Sequence, residues 1–270
     1  MIRIWRKCVT DLYIWWMASL SNLIGMSEFK FKRFTVVNER SAMKVNTDGV
    51  LLGASMTIAP TSRRMLDVGT GTGTIALMAA QRMADSVTCP ILKIDAIDID
   101  EASAAEAAQN FDNSPWAELM SASHASLKEY DASLDPEVRY DHIFSNPPYF
   151  EDSLQAPDQR RNDSRHTSTG LSYRELLEFA KVRLSSDGHI SIVLPSDAEN
   201  GLTRYARMCG LHLFRIMRIR TVPRKMPSRI IAEFSFRRCD NPSEELLTIQ
   251  NEGRYTQEYL ALTRDFYLFA

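Results

Sequence analysis

Cysteine is scarce and scattered. The four in this 270-residue chain, Cys8, Cys89, Cys209 and Cys239, show no C-x-x-C spacing, which excludes a disulfide framework or zinc ribbon and fits a reducing compartment. The five histidines form no H-E-x-x-H pairing, so no metal site is expected. Cationic excess is also missing: Lys and Arg total 32 against 34 Asp and Glu, a net charge of -2, and the pI is near 6.2. No global field would hold a polyanion, so a nucleic-acid partner must be gripped by local patches. No apolar run approaches the roughly 20 residues needed to span a bilayer. The expectation is a cytoplasmic monomer without a membrane partner.

The first 25 residues do not match the rest. Arg3, Arg6 and Lys7 precede the apolar run Leu12 to Leu20, in outline the n- and h-regions of an export signal, but Asp11 interrupts the boundary. A surface-docked helix is a second reading. The preferred third is a non-native or disordered extension with Met26 as the functional start. Residues 26–270 then read as one domain with no linker or repeat. With 44% hydrophobic and 24% charged residues, the chain is an ordinary globular one, long enough for a single large α/β domain.

Glycine and proline are sparse, 11 of each, and two of their clusters carry the chemistry. The first is Leu66-Asp67-Val68-Gly69-Thr70-Gly71-Thr72-Gly73, between a strand over 64–68 and a helix over 73–83. Glycines there let backbone approach a ligand that also meets the helix N-terminus. The spacing Gly71-x-Gly73-x-x-Ala76 also suits a dinucleotide, so a nicotinamide or flavin stays formally open. Asp67 favours S-adenosylmethionine, because a carboxylate would accept from the methionine ammonium group and repel a pyrophosphate. The next strand, 93–99, ends Asp98-Ile99-Asp100. Asp98 sits where a ribose diol donates two hydrogen bonds, and Asp100 caps the following helix, 101–111.

The second cluster follows a strand over 140–144: Ser145-Asn146-Pro147-Pro148-Tyr149-Phe150. Proline supplies no N–H, so the local carbonyls remain able to accept from a ligand. The Asn146 side-chain carbonyl and the Pro147 backbone carbonyl together suit the two N–H groups of a planar amino group. Tyr149 would stack on the ring, a contact of about 1–3 kcal/mol in single-stranded recognition. A plain turn is the alternative. Residues 151–172 read as a long basic loop containing Arg160, Arg161, Arg165 and His166. With Lys30, Lys32 and Arg33 these are the expected phosphate contacts. Thr47 or Asp48 is expected to cap a helix, Arg215, Arg218 and Arg220 to line a solvated sheet face, and the aromatic tail from Tyr255 to pack in the core. Strands over 211–220 and 230–236 should pair antiparallel at an edge, completing a doubly wound seven-stranded sheet.

From Phe29 onward the chain resembles the bacterial tRNA1(Val) (adenine-37, N6)-methyltransferase family. The resemblance rests on Met43-Lys44-Val45-x-Thr47-Asp48-Gly49-Val50-Leu51-Leu52-Gly53-Ala54, the glycine turn, Asn110 to Trp116 ending in Ser114-Pro115-Trp116, Asn146-Pro147-Pro148-Tyr149-Phe150, Arg165-His166-Thr167 and the tail Tyr255-Thr256-x-Glu258-Tyr259 with Asp265-Phe266-Tyr267-Leu268, in that order. It implies a Rossmann-like α/β class I methyltransferase fold, S-adenosylmethionine as cofactor, a tRNA anticodon stem-loop as partner and N6-methylation of an adenine. One departure stands out. Many related enzymes carry an acid after the third strand that reads the cofactor adenine, whereas His124, Ala125 and Ser126 stand here, so Ser126 or backbone groups take that task. Protein-glutamine N5-methyltransferases share the Asn-Pro-Pro-Tyr arrangement and are the nearest alternative. Another nucleic-acid adenine methyltransferase and a non-catalytic RNA-binding scaffold remain open.

Overall fold

Short, mostly apolar segments such as Met65 to Val68 and Ile94 to Ile97, each broken by one aspartate, suit parallel strands covered on both faces, and they form inner strands of the sheet. The computed structural model describes residues 28–85, 93–148 and 171–269. A small antiparallel ribbon, β1 (Glu28–Lys30) and β2 (Thr35–Val37), leads into helix α1 (Thr47–Ser55). Then come β3 (Arg64–Val68), α2 (Thr74–Ala84), β4 (Lys93–Asp98), α3 (Glu101–Asp112), β5 (Met120–His124), α4 (Leu127–Ser133) and β6 (Tyr140–Ser145). The second half adds α5 (Tyr173–Arg183), β7 (Leu184–Pro195), α6 (Glu199–Met208), β8 (His212–Arg220), β9 (Arg229–Ser235), β10 (Ser243–Thr248), the short pair β11 (Gln250–Asn251) and β12 (Arg254–Tyr255), and α7 (Gln257–Thr263).

The central sheet runs β10-β8-β9-β7-β6-β3-β4-β5. Strands β7, β6, β3, β4 and β5 are mutually parallel, and β9 lies antiparallel to both neighbours. Alternate residues face opposite sides: Met65, Phe144 and Val193 join an apolar cluster with α1 and α2, while Leu66, Ile143 and Ile192 join another with α5 and α6. The sheet has eight strands rather than the expected seven. The antiparallel β8–β9 pair is present, but β8 is not the edge, because β10 pairs parallel with it. Opposite charges line this added pairing: Glu245 of β10 takes Arg215 at 2.7 Å, and Glu244 takes Arg218 at 2.8 Å. Of the arginines read as a solvated face, Arg215 and Arg218 are therefore paired with carboxylates, while Arg220 donates to Thr248 Oγ1 and the Pro223 carbonyl. The aromatic tail does pack inward, with Tyr259 and Phe266 buried.

Candidate active site

The chain winds outward from β3 through β4 to β5, then crosses back to lay β6 on the other side of β3. A crevice opens at such a reversal, outside the carboxyl ends of the strands. The glycine turn forms one wall. Gly69, Gly71 and Gly73 all have left-handed φ, at 70°, 55° and 79°, where a side chain would be strained. At Gly73 packing adds to this, since a Cβ would come within 2.5 Å of the Phe111 ring. That glycine is thus required by the seat of α2 against α3. The turn's amides are largely engaged: Gly69 and Thr70 donate to the Ile97 carbonyl, and Gly71 donates to Asp98 Oδ2 at 2.8 Å. An acid therefore occupies the place where a pyrophosphate would need donors.

Asp67 lies fully buried behind the turn. Thr70 Oγ1 donates to its Oδ2 at 2.8 Å, while Oδ1 has no hydrogen bond among the described residues. Burial pushes its pKa up to about 7, Asp98 raises it further, and the Thr70 hydroxyl and the Ala76 backbone amide at the start of α2 oppose the shift. Asp98 is only half-buried. Its second oxygen accepts from the Asp100 amide at 2.9 Å, and desolvation lifts its pKa above the usual carboxylate range. Asp100 caps α3 as expected, accepting from the Ser103 amide.

The facing wall begins where β6 ends. The Ser145 hydroxyl donates to the Val68 carbonyl at 2.6 Å, tying the Asn-Pro-Pro segment to the residue before Gly69. Asn146 is buried, and its Nδ2 donates to Asn46 Oδ1 at 3.4 Å and approaches Met43 Sδ at 3.6 Å. Asn46, rather than Thr47 or Asp48, is the N-cap of α1, accepting from the Gly49 amide at 2.8 Å. Asp48 pairs instead with Arg229 at 2.9 Å. Met43, Asn46, Gly49, Gly71, Thr72 and Asn146 line one narrow cleft.

Two residues of α3, Glu106, which sequence reasoning passed over, and Asn110, which it counted only as the start of a family segment, hold this cleft together. Buried Glu106 accepts from the backbone amides of Glu39, Arg40 and Ser41, fixing the segment that leads to Met43. Asn110 donates to the Val37 and Thr72 carbonyls, joining β2 to the glycine turn. Their signal was faint, since both stand in an alanine-rich helix as apparent surface polar residues.

Other expected site residues fall elsewhere. Ser126 is the N-cap of α4, with its hydroxyl bound within a capping box to Glu129, so its side chain serves a helix start. Lys32 donates to the Arg264 carbonyl, and Arg33 pairs with Asp85 while lying over the Trp116 ring. Both are thus tied to local structure. Lys30 is exposed on β1. Tyr149, Arg160, Arg161, Arg165 and His166 lie outside the described residues. Among the described residues there is no group of side chains placed to hold a metal, and no helix long and apolar enough to cross a membrane.

Comparison with known proteins agrees with this geometry. The family profile of the Methyltransferase small domain matches residues 40–200. Among solved structures, a predicted O-methyltransferase of Agrobacterium tumefaciens superposes with a TM-score of 0.57 at 16% identity, over 81% of this chain and 96% of that one. A type I restriction-modification methyltransferase subunit of Streptococcus thermophilus reaches 0.53 at 14% identity, over 82% and 52%. The fold is that of the class I methyltransferases. Curated relatives are nearer: the tRNA1(Val) (adenine(37)-N6)-methyltransferase of Bacteroides fragilis is 43% identical over 89% of this chain and 97% of its own length. The protein of the same name from Escherichia coli is 36% identical over 94% and 100%. This chain belongs to the tRNA1(Val) (adenine(37)-N6)-methyltransferase family.

Proposed function

We propose that this chain methylates N6 of an adenine in the anticodon loop of a tRNA, adenine-37 of tRNA1(Val), using S-adenosylmethionine, in the cytoplasm and as a monomer formed by residues 26–270. The observation that carries the reading is the placement of Asn146: one hydrogen bond from the preceding residue ties it to the end of β3, and it shares a single cleft with the glycine turn. The residues present fit the methyl donor. A buried carboxylate with an unpartnered oxygen, Asp67, suits a cationic group and would hold the methionine ammonium. Asp98, only half-buried at the end of β4, retains lone pairs for ribose hydroxyls.

Bound S-adenosylmethionine supplies an electrophilic methyl group on a sulfonium. The chain's own work is orientation. The lone pair of an exocyclic adenine nitrogen is delocalised into the ring. Asn146 and the Pro147 carbonyl, accepting its two N–H groups, hold the nitrogen with that lone pair toward the methyl. No strong base is needed, so the rate rests on alignment. The target base must leave its stack, which costs least in a single-stranded loop. Tyr149 is assigned to stack on it, and Arg160, Arg161, Arg165 and His166 to phosphates. The buried carboxylate behind the turn, together with Asp98 on the Gly71 amide, disfavours a dinucleotide.

The test is nucleoside mass spectrometry of unmodified tRNA incubated with the purified chain and S-adenosylmethionine. N6-methyladenosine mapped to the anticodon loop is expected. Methyl transfer to a protein glutamine, with none to tRNA, would overturn the reading.

A further inference from the structure

The turn between β8 and β9 carries charge that the rest of the fold leaves unanswered. From Arg218 to Ala232 the chain holds five cations, Arg218, Arg220, Arg224, Lys225 and Arg229, and no carboxylate. Three are engaged. Arg218 pairs with Glu199 and Glu244, Arg220 donates to Thr248 Oγ1 and the Pro223 carbonyl, and Arg229 pairs with Asp48. Arg224 and Lys225 are exposed at the tip and have no side-chain partner among the described residues. Beside them Met226 is 85% exposed.

The sheet register puts this tip at the substrate edge. Ser145, the residue before Asn146, stands opposite Ile192 of parallel β7, and Pro195, three residues further on, stands opposite Arg229 at the start of β9. The turn therefore projects past the carboxyl ends of β6 and β7, about 10 Å, or two strand spacings, to the side of β6. A chain of contacts fixes it there: Arg229 holds Asp48 in the first turn of α1, and the N-cap of that helix, Asn46, receives the Asn146 amide. Pro223 and Pro227 flank the tip and narrow its backbone freedom. Its bonds from the Lys225 amide to Val222 and from the Ser228 amide to Ile219 close it.

Resting on the functional reading above, we propose that the β8–β9 turn is an RNA-docking element, in which Arg224 and Lys225 contact phosphates of the substrate strand beside the target adenine. Two cations on a closed, proline-flanked turn next to the reacting site suit a polyanion that the chain, at net -2, cannot attract as a whole. Met226 offers an apolar surface to a ribose or base face in the same contact. The tip positions substrate and takes no part in the transfer.

The experiment uses the full chain, unmodified tRNA transcript and two double variants. Arg224→Gln with Lys225→Gln removes the tip charge. Arg237→Gln with Arg238→Gln removes two cations beyond the end of β9, at the opposite end of the strands, where both arginines are exposed and paired with Asp187 and Asp240. For the tip variant the affinity for tRNA should fall about tenfold, and the slope of log affinity against log salt should become shallower by about 1.4 to 1.8, the release expected for two lost phosphate contacts. Its KM for tRNA should rise in step while its affinity for S-adenosylmethionine is unchanged. The control variant should alter none of these. Unchanged tRNA affinity and slope in the tip variant, with wild-type chain still methylating tRNA, would overturn the proposal and leave the functional reading standing. An equal loss in the control would also overturn it, by showing a response to total charge alone. Wild-type chain that methylates protein and not tRNA would overturn both.

Discussion

The buried polar residues between β7, β8 and β9 and those behind the glycine turn differ in how fully they are paired. Glu233, completely buried, accepts from Arg215 at 2.5 Å, from the Thr57 amide at 2.9 Å and hydroxyl at 3.1 Å, and from Ser191 at 2.9 Å. His142 donates to Ser191, and its ring stacks on His189 at 4.0 Å, which in turn bonds the Thr57 carbonyl. Asp67, as deeply buried, has one oxygen engaged and one left over. The carboxylate that joins the strands has both oxygens and its charge answered from within, although His142 Nδ1 in the same network has no hydrogen-bond partner among the described residues. Among the described residues, the acid at the turn has no cationic partner.

The comparison breaks most sharply at Glu233. Glu233→Ala leaves the buried side of Arg215 without its partner, and breaking such a pair costs about 3–5 kcal/mol. Urea unfolding should register that loss, while S-adenosylmethionine affinity of the folded fraction stays unchanged. A stability change below about 1 kcal/mol would show that Glu245 alone satisfies Arg215. Asn146→Ala should do the reverse. Stability and cofactor affinity hold, and single-turnover methyl transfer falls by about 10²- to 10³-fold, the scale of a lost positioned hydrogen-bonding group in an active site. Asn146→Asp should retain more activity than alanine, because it keeps an acceptor. Near-native rates in both variants would reduce Asn146 to a turn residue.

Asp98→Ala comes next. Hydrogen bonds to a charged acceptor contribute about 1.5–3 kcal/mol, so calorimetry should show weaker cofactor binding with little change in transfer rate at saturating cofactor. Part of that loss will come through the Gly71 amide, which Asp98 also orders. Unchanged affinity would remove Asp98 from the cofactor site.

The smallest effects are in pH, and the two regions have opposite signs. Burial holds His142 well below its ordinary value, and the neighbouring His189 and Arg82 lower it further. The unfolded chain then takes the proton first, so this histidine erodes stability as pH falls below about 6.5. Asp67 is raised to about 7, so the unfolded chain loses that proton first. Its penalty grows as pH climbs from about 4 toward 7. Thermal melts of Asp67→Asn should therefore gain most relative to wild type near pH 7, and His142→Gln should flatten the decline on acidification. A gain for Asp67→Asn that is the same at pH 4.5 and pH 7 would mean that Asp67 is not burdened by its proton.

Much of this was legible in the chain. The inner strands announced themselves because burial on both faces leaves little but apolar residues, and the glycine turn because its φ values admit few others. Asp100 was correctly read as a cap from its position alone. What failed depended on distant partners. Asp48 looked like a cap because nothing local shows Arg229, which lies 181 residues away. The eighth strand, Ser-Glu-Glu-Leu-Leu-Thr, is too acidic to resemble a strand until the arginines of β8 are set beside it. Ser126 is a different case. The spacing Ser126-x-x-Glu129 spells a capping box, and the pull of a missing adenine-reading acid obscured it.

Helix α3 grips the Glu39–Ser41 segment through Glu106, and β2 and the glycine turn through Asn110. The glycine turn and the segment that leads to Met43 are therefore measured from one ruler, the twelve residues of α3. The wall that carries Asn146 is set separately, by the Ser145 hydroxyl on the Val68 carbonyl and by the contact of Asn146 with Asn46. A small change in the pitch of α3 would move the turn and the Met43 segment together and leave the seat of Asn146 to the end of β3.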